Sequence, residues 1–145
     1  MTLVFLKVSL LNQSRKKDNQ LNIPEDLLYT KEHEWVKNDD GKVTIGITDF
    51  AQSQLGDIIF LELPDIGQKI ISGESFGEIE AVKTVSELYA PINGTIIQIN
   101  DELEDVPDNI NQDCYGSGWI IKVELDGDIS KENLLNHQAY GSLVA

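Results

Sequence analysis

Lys83 lies near the middle of a segment whose residues are arranged to present a single amine. The segment runs from Gly73 to Gly94 and reads GESFGEIEAVKTVSELYAPING. Short β-prone runs flank the central Val-Lys-Thr, and a glycine turn closes each run, which is the pattern of a β-hairpin. A lysine at the tip of such a hairpin extends from the body of the protein, where an enzyme can modify it. Lysine is also a common solvated residue of turns, so its position alone assigns no function.

The rest of the sequence holds few of the patterns that catalysis or metal binding requires. The chain has one cysteine, Cys114, and two histidines, His33 and His137, so no Cys/His cluster of the zinc- or haem-binding kind is visible. A single cysteine cannot form an intramolecular disulfide, which favours a reducing compartment. No glycine-rich phosphate loop and no G-x-S-x-G nucleophile elbow occurs. We therefore predict no catalytic residue and no metal site, an inventory that favours a carrier over an enzyme.

The chain is strongly acidic, with 25 acidic residues against 11 basic ones and a net charge of −14. Such a field repels phosphate backbones and anionic lipids, so we expect neither nucleic acid nor membrane among the partners. It suits a protein that associates with several enzymes through their basic surfaces. The same charge would also serve solubility alone.

Short strand-like segments between glycine or Asn/Asp turns predict a mainly β fold, a flattened β-sandwich or barrel-sandwich hybrid that carries the lysine-tipped hairpin. Outside the hairpin, the predicted strands are 30–36, 42–47, 57–63, 68–71, 95–99 and 119–125. Thr48 or Asp49 is expected to cap a short internal helix that Gly56 ends. Ser130 is expected to cap a C-terminal helix that continues to about Tyr140. Residues 111–118 are predicted as a polar loop.

A length of 145 residues indicates one domain. We predict that residues 1–21 form a poorly ordered extension and residues 22–145 the domain. The apolar run Leu3–Leu11 is too short to span a membrane. The basic residues Arg15–Lys17 follow this run rather than precede it, unlike those of a secretory signal. An organellar transit peptide stays open, because no acidic residue precedes Asp18.

The segment around Lys83 resembles the lipoyl/biotinyl attachment motif, with Glu80 three residues before the lysine and with Ala-Pro and Asn-Gly after it. Biotin-bearing domains typically place methionines beside their lysine, whereas Val82 and Thr84 flank Lys83, which favours lipoate. The sequence from Glu80 to Pro91 is most similar to the H-protein family of the glycine cleavage system. Blocks elsewhere resemble the same family: Tyr29–Trp35, Gly46–Gln52, Leu55–Asp57, Leu63–Gly67 and Tyr115-Gly116 with Gly118-Trp119.

This resemblance implies a lipoyl carrier, with lipoate covalently attached to Lys83, that shuttles the aminomethyl group of glycine. The implied partners are the pyridoxal-phosphate-dependent glycine decarboxylase (P protein), the folate-dependent aminomethyltransferase (T protein) and the flavin-dependent dihydrolipoyl dehydrogenase (L protein). A lipoyl or octanoyl transferase, or a lipoate ligase, would modify Lys83. The lead-in Ile23-Pro24-Glu25 resembles that of bacterial members, which implies the cytoplasm, with the mitochondrial matrix as the alternative.

The resemblance also implies which residues surround the arm. Glu34 would be the acidic wall of a cleft that excludes water and faces the cationic amine of the cargo, and Glu87 would lie beside the base of the arm. Gln54 occupies a position where relatives can have histidine, and an amide can donate hydrogen bonds there but cannot titrate. Glu80 and Glu87 could instead present the hairpin to the lipoylating enzyme. The sequence does not separate these two roles.

Two other functions remain open at this point. The chain could be a lipoate-relay or regulatory protein that accepts lipoate on Lys83 and passes it to other apoproteins. It could also be a biotinyl carrier of a carboxylase. Reconstitution with the other three components separates the first of these from a glycine-cleavage carrier, and the intact mass of the native protein separates the second.

Overall fold

The structure, a computed structural model, describes residues 21–129 and 132–145, and two antiparallel β-sheets form the body of this part of the chain. The strands are β1 (Leu28–Tyr29), β2 (Glu34–Asp39), β3 (Lys42–Ile47), β4 (Ile58–Glu62), β5 (Lys69–Ile70), β6 (Ser75–Ala81), β7 (Val85–Tyr89), β8 (Gly94–Ile99) and β9 (Ile121–Leu125). The larger sheet has the order β1-β2-β3-β9-β8-β5, and the smaller has the order β4-β6-β7. The predicted mainly β sandwich is confirmed. Residues 1–20, most of the predicted extension, lie outside the described residues.

The β2–β3 hairpin shows how local sequence sets the register of the larger sheet. Asp40 and Gly41 both have positive φ, 54° and 85°, as the two central residues of a type I′ turn require. The Gly41 N–H donates to Oδ1 of Asn38 at 2.9 Å. This turn places Asp39 opposite Lys42 and Val36 opposite Ile45. The turn predicted from the Asn-Asp-Asp-Gly sequence is therefore confirmed.

The internal helix is α1 (Asp49–Leu55), and Thr48 is its N-cap. The Oγ1 of Thr48 accepts a hydrogen bond from the Ala51 N–H at 3.1 Å, which satisfies one of the free donors of the first turn. Gly56, with φ of 79°, ends the helix. Phe50, Ala51, Gln54 and Leu55 form its buried face, so this helix turns one polar side chain, that of Gln54, towards the interior.

The core lies between the sheets and consists mainly of aliphatic side chains. Fully or nearly fully buried members include Val43, Ile45, Ile96, Ile121 and Val123 of the larger sheet and Ile58, Ile79 and Leu88 of the smaller. Trp35 is 2% exposed, and its Nε1 donates to the carbonyl oxygen of Cys114 at 3.0 Å. Gly46 is its direct cross-strand partner. The indole therefore covers the position where a side chain on residue 46 would lie.

The C-terminal helix, α3 (His137–Val144), begins later than the sequence predicted. Ser130, the expected cap, lies outside the described residues. Leu135 is held extended because its N–H and C=O exchange hydrogen bonds with the backbone of Tyr29, at 2.7 and 2.8 Å. The helix begins only after this bridge, and Asn136 caps it by accepting from the Ala139 N–H at 2.8 Å.

The acidic and polar region between β8 and β9 contains two short helical segments. It contains a 3-10 turn, Asp101–Glu104, and a short helix, α2 (Asn109–Gln112), which overlaps the start of the predicted polar loop. Leu103 and Ile110, one in each turn, are 3% and 0% exposed. Burial of these two side chains holds an otherwise polar segment against the core. None of the helices in the described part of the chain is long and apolar enough to cross a membrane.

Gly46→Ala is expected to destabilise the fold, because an added Cβ would lie 2.6 Å from Nε1 of Trp35. Overpacking of this kind costs about 1–3 kcal/mol of unfolding free energy. Gly141→Ala is the matched control. Its Cβ would meet only Ile23 at 3.8 Å, in ordinary contact, and alanine favours a helix over glycine by roughly 0.8–1 kcal/mol. Urea unfolding of both variants tests the difference, and equal stabilities would contradict the packing described here.

Candidate functional site

Lys83 lies at the apex of the hairpin that joins β6 to β7. The Ala81 N–H donates to the Thr84 carbonyl at 2.8 Å, and the Val82 N–H donates to the Asp57 carbonyl at 3.0 Å. The second bond fixes the loop to the residue that precedes β4. The Lys83 side chain is exposed and forms no ion pair or side-chain hydrogen bond within the described residues. A fixed backbone thus carries an accessible amine.

The two strands below Lys83 divide their side chains cleanly between the core and the solvent. Ile79, Ala81 and Leu88 are buried against the body, so the alternate residues face outwards. Glu80 is on the outer face, directly opposite Val85. Glu87 is on the same face and accepts a hydrogen bond from the Tyr89 hydroxyl at 2.9 Å. Both glutamates therefore lie on the outer surface of the strands that support Lys83.

Glu34, the first residue of β2, is 2% exposed and contacts the hairpin at its base. Its Oε1 accepts from the Thr30 hydroxyl at 2.6 Å, and its Oε2 accepts from the Tyr89 N–H at 3.4 Å. Tyr89 is the last residue of β7, roughly 20 Å along the strand from Lys83. The structure therefore brings Glu34 to the hairpin but not to Lys83 itself, and only an arm that folds back over the sheet could join them.

Burial strongly changes the acidity of the Glu34 carboxyl group. Desolvation raises its pKa from 4.5 to about 8, although the hydrogen bonds from Thr30 and Tyr89 act in the opposite direction. A neighbouring cation would favour the ionised form and lower this pKa again. A positively charged group beside Glu34 could thus restore the negative charge of this buried carboxyl group.

The loop that carries Glu34 is anchored by its neighbour His33. His33 has φ of 73°, a left-handed conformation that costs energy for a residue with a side chain. Its Nδ1 shares a hydrogen bond with the Tyr140 hydroxyl at 2.9 Å, and that hydroxyl is 2.7 Å from Oγ1 of Thr48. The His33 carbonyl accepts from the Thr48 N–H at 3.0 Å. Helix α3 therefore ties the Glu34 loop to the start of α1.

Burial also lowers the pKa of His33 to about 4, so its imidazole is neutral at physiological pH. The ring packs against Phe50 with centroids 4.8 Å apart. These contacts are those of a histidine that packs within the protein. Among the described residues, no group of three or more His, Cys, Asp or Glu side chains is placed to hold a metal ion.

Gln54, on the buried face of α1, is 7% exposed, and its Oε1 has no hydrogen-bond partner. A buried, unpaired amide oxygen is unfavourable, and an unexplained one is a feature of sites that receive a further group. The helix that carries Gln54 is joined to the Glu34 loop through Thr48.

Three residues that position Glu34 did not emerge from the sequence. Thr30 and Tyr89 donate to its carboxylate, and Tyr140 holds the adjoining His33. Tyr89 and Tyr140 are 55 and 106 positions after Glu34, so no local pattern links them to it. Thr30 is nearer, but it faces Glu34 only because the left-handed turn at His33 reverses the chain.

The Cys114 thiol is not a nucleophile suited to this site. Cys114 is 6% exposed, and burial raises its pKa to about 12, which suppresses the thiolate. Cys114 contributes to the structure through its backbone carbonyl group, which accepts the hydrogen bond from Trp35.

Glu34→Gln is expected to remove a pH dependence of stability between pH 6.5 and 8. The folded state holds the Glu34 proton in this range, whereas the unfolded state has lost it, so the free energy of unfolding falls as pH rises. At 1.36 kcal/mol per pKa unit, the fall is about 1–2 kcal/mol. His33, with its lowered pKa, has the opposite effect, but chiefly below pH 6.5.

Urea unfolding of the wild type and of Glu34→Gln at several pH values in this range provides the measurement. Glu124→Gln, which changes an exposed glutamate of β9, is the control and should keep the wild-type dependence. A Glu34→Gln profile parallel to that of the wild type would show that Glu34 is ionised in the folded protein.

Comparison with known proteins places the chain in a family. Residues 27–145 match the model of the glycine cleavage H-protein family. A glycine cleavage system H protein from Oceanobacillus iheyensis is 51% identical over 124 residues, which cover 86% of this chain and 98% of the relative. One from Bacillus pumilus is 55% identical with the same coverage.

A solved structure agrees with the sequence relatives. The crystal structure of a glycine cleavage system H protein from Mycobacterium marinum matches with a TM-score of 0.75 and 40% identity, over 83% of this chain and 97% of that one. The resemblance seen in the sequence around Lys83 and in the flanking blocks is thereby confirmed. The chain belongs to the glycine cleavage H-protein family.

Proposed function

We propose that Lys83 is the lipoyl-attachment residue and that the chain carries the aminomethyl group of glycine on that arm. The observation that carries the proposal is the exposed, unpaired amine at the apex of a hairpin whose backbone is fixed on both sides. Membership of the H-protein family supports it. As a member of that family, the chain is a carrier subunit of the glycine cleavage system and not itself an enzyme.

Lipoate in amide linkage to Lys83 would supply a dithiolane that takes up and releases the cargo and exchanges electrons as a dithiol–disulfide pair. The contribution of the chain is to hold the point of attachment. The Val82–Asp57 hydrogen bond and the buried side chains of β6 and β7 keep the apex in one place. A short tether on a fixed point raises the effective concentration of the cargo at each partner's active site.

The residues present fit such an arm, although its path along the surface is part of the proposal. Glu34 offers a desolvated carboxyl group that a cationic amine would ionise and bind. Gln54 offers an amide oxygen that lacks a partner. A site formed by these groups would limit the access of water to the cargo. Because Gln54 does not titrate, we expect any pH dependence of cargo retention to come from Glu34.

The proposed partners are the glycine decarboxylase, the aminomethyltransferase and the dihydrolipoyl dehydrogenase, with a lipoyl or octanoyl transferase or a lipoate ligase that modifies Lys83. The cytoplasm is the proposed compartment, which the bacterial relatives support. Glu80 and Glu87, which lie on the outer face of the hairpin, are proposed to take part in presenting Lys83 to the modifying enzyme.

Lys83→Arg is expected to preserve the fold and to abolish the lipoyl adduct. The modifying enzyme acylates an amine, and a guanidinium group cannot replace it. Intact mass of the native protein, with fragmentation to locate the adduct, is the measurement. Lys37→Arg, which changes an exposed lysine of β2, should be modified like the wild type. An adduct that persists on Lys83→Arg would exclude Lys83 as the attachment residue.

Reconstitution with the three partner enzymes tests the function itself. The modified wild-type chain should support glycine-dependent release of ammonia, and Lys83→Arg should not. A lipoate-relay protein would acquire the adduct but support no release of ammonia, so that result would contradict the carrier function while leaving the attachment residue intact.

Glu34→Gln should leave the modification of Lys83 unchanged but shorten the lifetime of the loaded protein in the absence of the aminomethyltransferase. Loss of one hydrogen bond to a charged group is worth about 1.5–3 kcal/mol, which corresponds to a lifetime roughly 10–100-fold shorter. Intact mass followed over time at pH 7.5 gives the rate. An unchanged lifetime would remove Glu34 from the proposed cleft.

A further inference from the structure

The outer face of the β4-β6-β7 sheet is an uncovered surface that leads directly to Lys83. We call it the hairpin face, and its residues are Phe60, Glu62, Glu78, Glu80, Val85 and Glu87. Cross-strand pairs place all six side chains on one side of the sheet, because directly opposite residues of antiparallel strands point the same way. The other side of the sheet is buried.

The pairing arranges these side chains in two rows. The row nearer to Lys83 consists of Phe60, Glu80 and Val85, with Glu80 opposite both of the others. Phe60 is 56% exposed and Val85 is 55% exposed. The two apolar side chains lie on β4 and β7, on either side of Glu80, so this row presents a carboxylate flanked by exposed apolar groups.

The second row consists of three carboxylates, in which Glu78 lies opposite both Glu62 and Glu87. Like charges directly opposite each other destabilise a sheet. No cation of the described chain offsets them, since the one ion pair found among the described residues joins Lys69 to Asp126, on β5 and beside β9. The Tyr89 hydroxyl donates a hydrogen bond to Glu87 but neutralises none of the three charges, so their mutual repulsion remains in the folded chain.

We propose that the hairpin face is the docking surface for a basic surface on the enzyme that acylates Lys83. This inference rests on the proposed function, because it needs Lys83 to be the modified residue. An enzyme that reaches Nζ of Lys83 must cover the apex, and the first row begins only two residues from it on β7. Lysine or arginine side chains of that enzyme would neutralise the carboxylate row, and apolar groups on either side of them would cover Phe60 and Val85.

This arrangement has a kinetic consequence. Charges at the rim of an interface act mainly on the rate of association and on its salt dependence, and the acylation chemistry takes place at Lys83 itself. The carboxylates should therefore determine the KM of the enzyme for this chain and leave kcat unchanged. Glu62 and Glu78 are suitable residues for testing this, since neither has a role at the arm in the proposed function.

The experiment measures acylation of the full-length, unmodified chain by a purified lipoate ligase with lipoate and ATP, followed by intact mass over a range of protein and salt concentrations. Glu62→Gln with Glu78→Gln should raise KM about tenfold at low salt, keep kcat within about twofold and flatten the salt dependence. Phe60→Ser should also raise KM but leave the salt dependence as in the wild type. The thermal midpoint of the double variant should not fall, because the substitution removes like-charge repulsion.

The control is Glu25→Gln with Glu124→Gln, which removes the same charge from exposed positions outside the hairpin face. Its KM should match that of the wild type. If the wild type is acylated on Lys83 and the Glu62/Glu78 variant behaves like the control, the docking surface is wrong and the attachment residue stands. If the wild type is not acylated on Lys83, the proposed function fails and the docking surface fails with it.

Discussion

The antiparallel register of β6 and β7 fixes the positions of Lys83 and of the glutamates on the hairpin. It is closed by the hydrogen bond from Ala81 to Thr84 and held against the body by Ile79 and Leu88. A slip of one residue would exchange the two faces of the hairpin and bury its glutamates. The position of Lys83 at the apex and the outward direction of the charged side chains are both consequences of this one alignment.

The carboxyl group of Glu34 is buried in the protein, whereas the glutamates on the outer face of the hairpin face the solvent. Its neighbour His33 adopts a left-handed backbone conformation, and Tyr140 and Thr48 hold the loop in place through hydrogen bonds. Helix α3 and the capping residue Thr48 thus help to keep the Glu34 side chain out of water. Strained conformations that the surrounding structure maintains are a common feature of functional sites, and this contrast supports different roles for the buried and the exposed carboxylates.

Much of the fold was accessible from sequence because its turns are local. The Asn38–Gly41 turn and the glycine that ends α1 each depend on neighbouring residues. So does the cap of α1, which is Thr48, one of the two residues predicted for it. The C-terminal helix was misplaced because a backbone bridge between Leu135 and Tyr29 holds the preceding residues extended. The short helix α2 was missed because burial of a single side chain, that of Ile110, stabilises it rather than a periodic pattern.

The family, the hairpin and its central lysine could be identified from the amino-acid sequence, because contiguous blocks of residues encode them. The sequence also pointed to Glu34 through resemblance. Three features became visible in the folded chain alone: the burial of Glu34 against Tyr89 at the base of the hairpin, the unpaired oxygen of Gln54, and the row formed by Glu62, Glu78 and Glu87. Each of these depends on strand register and packing between residues far apart in the chain, which no local pattern encodes.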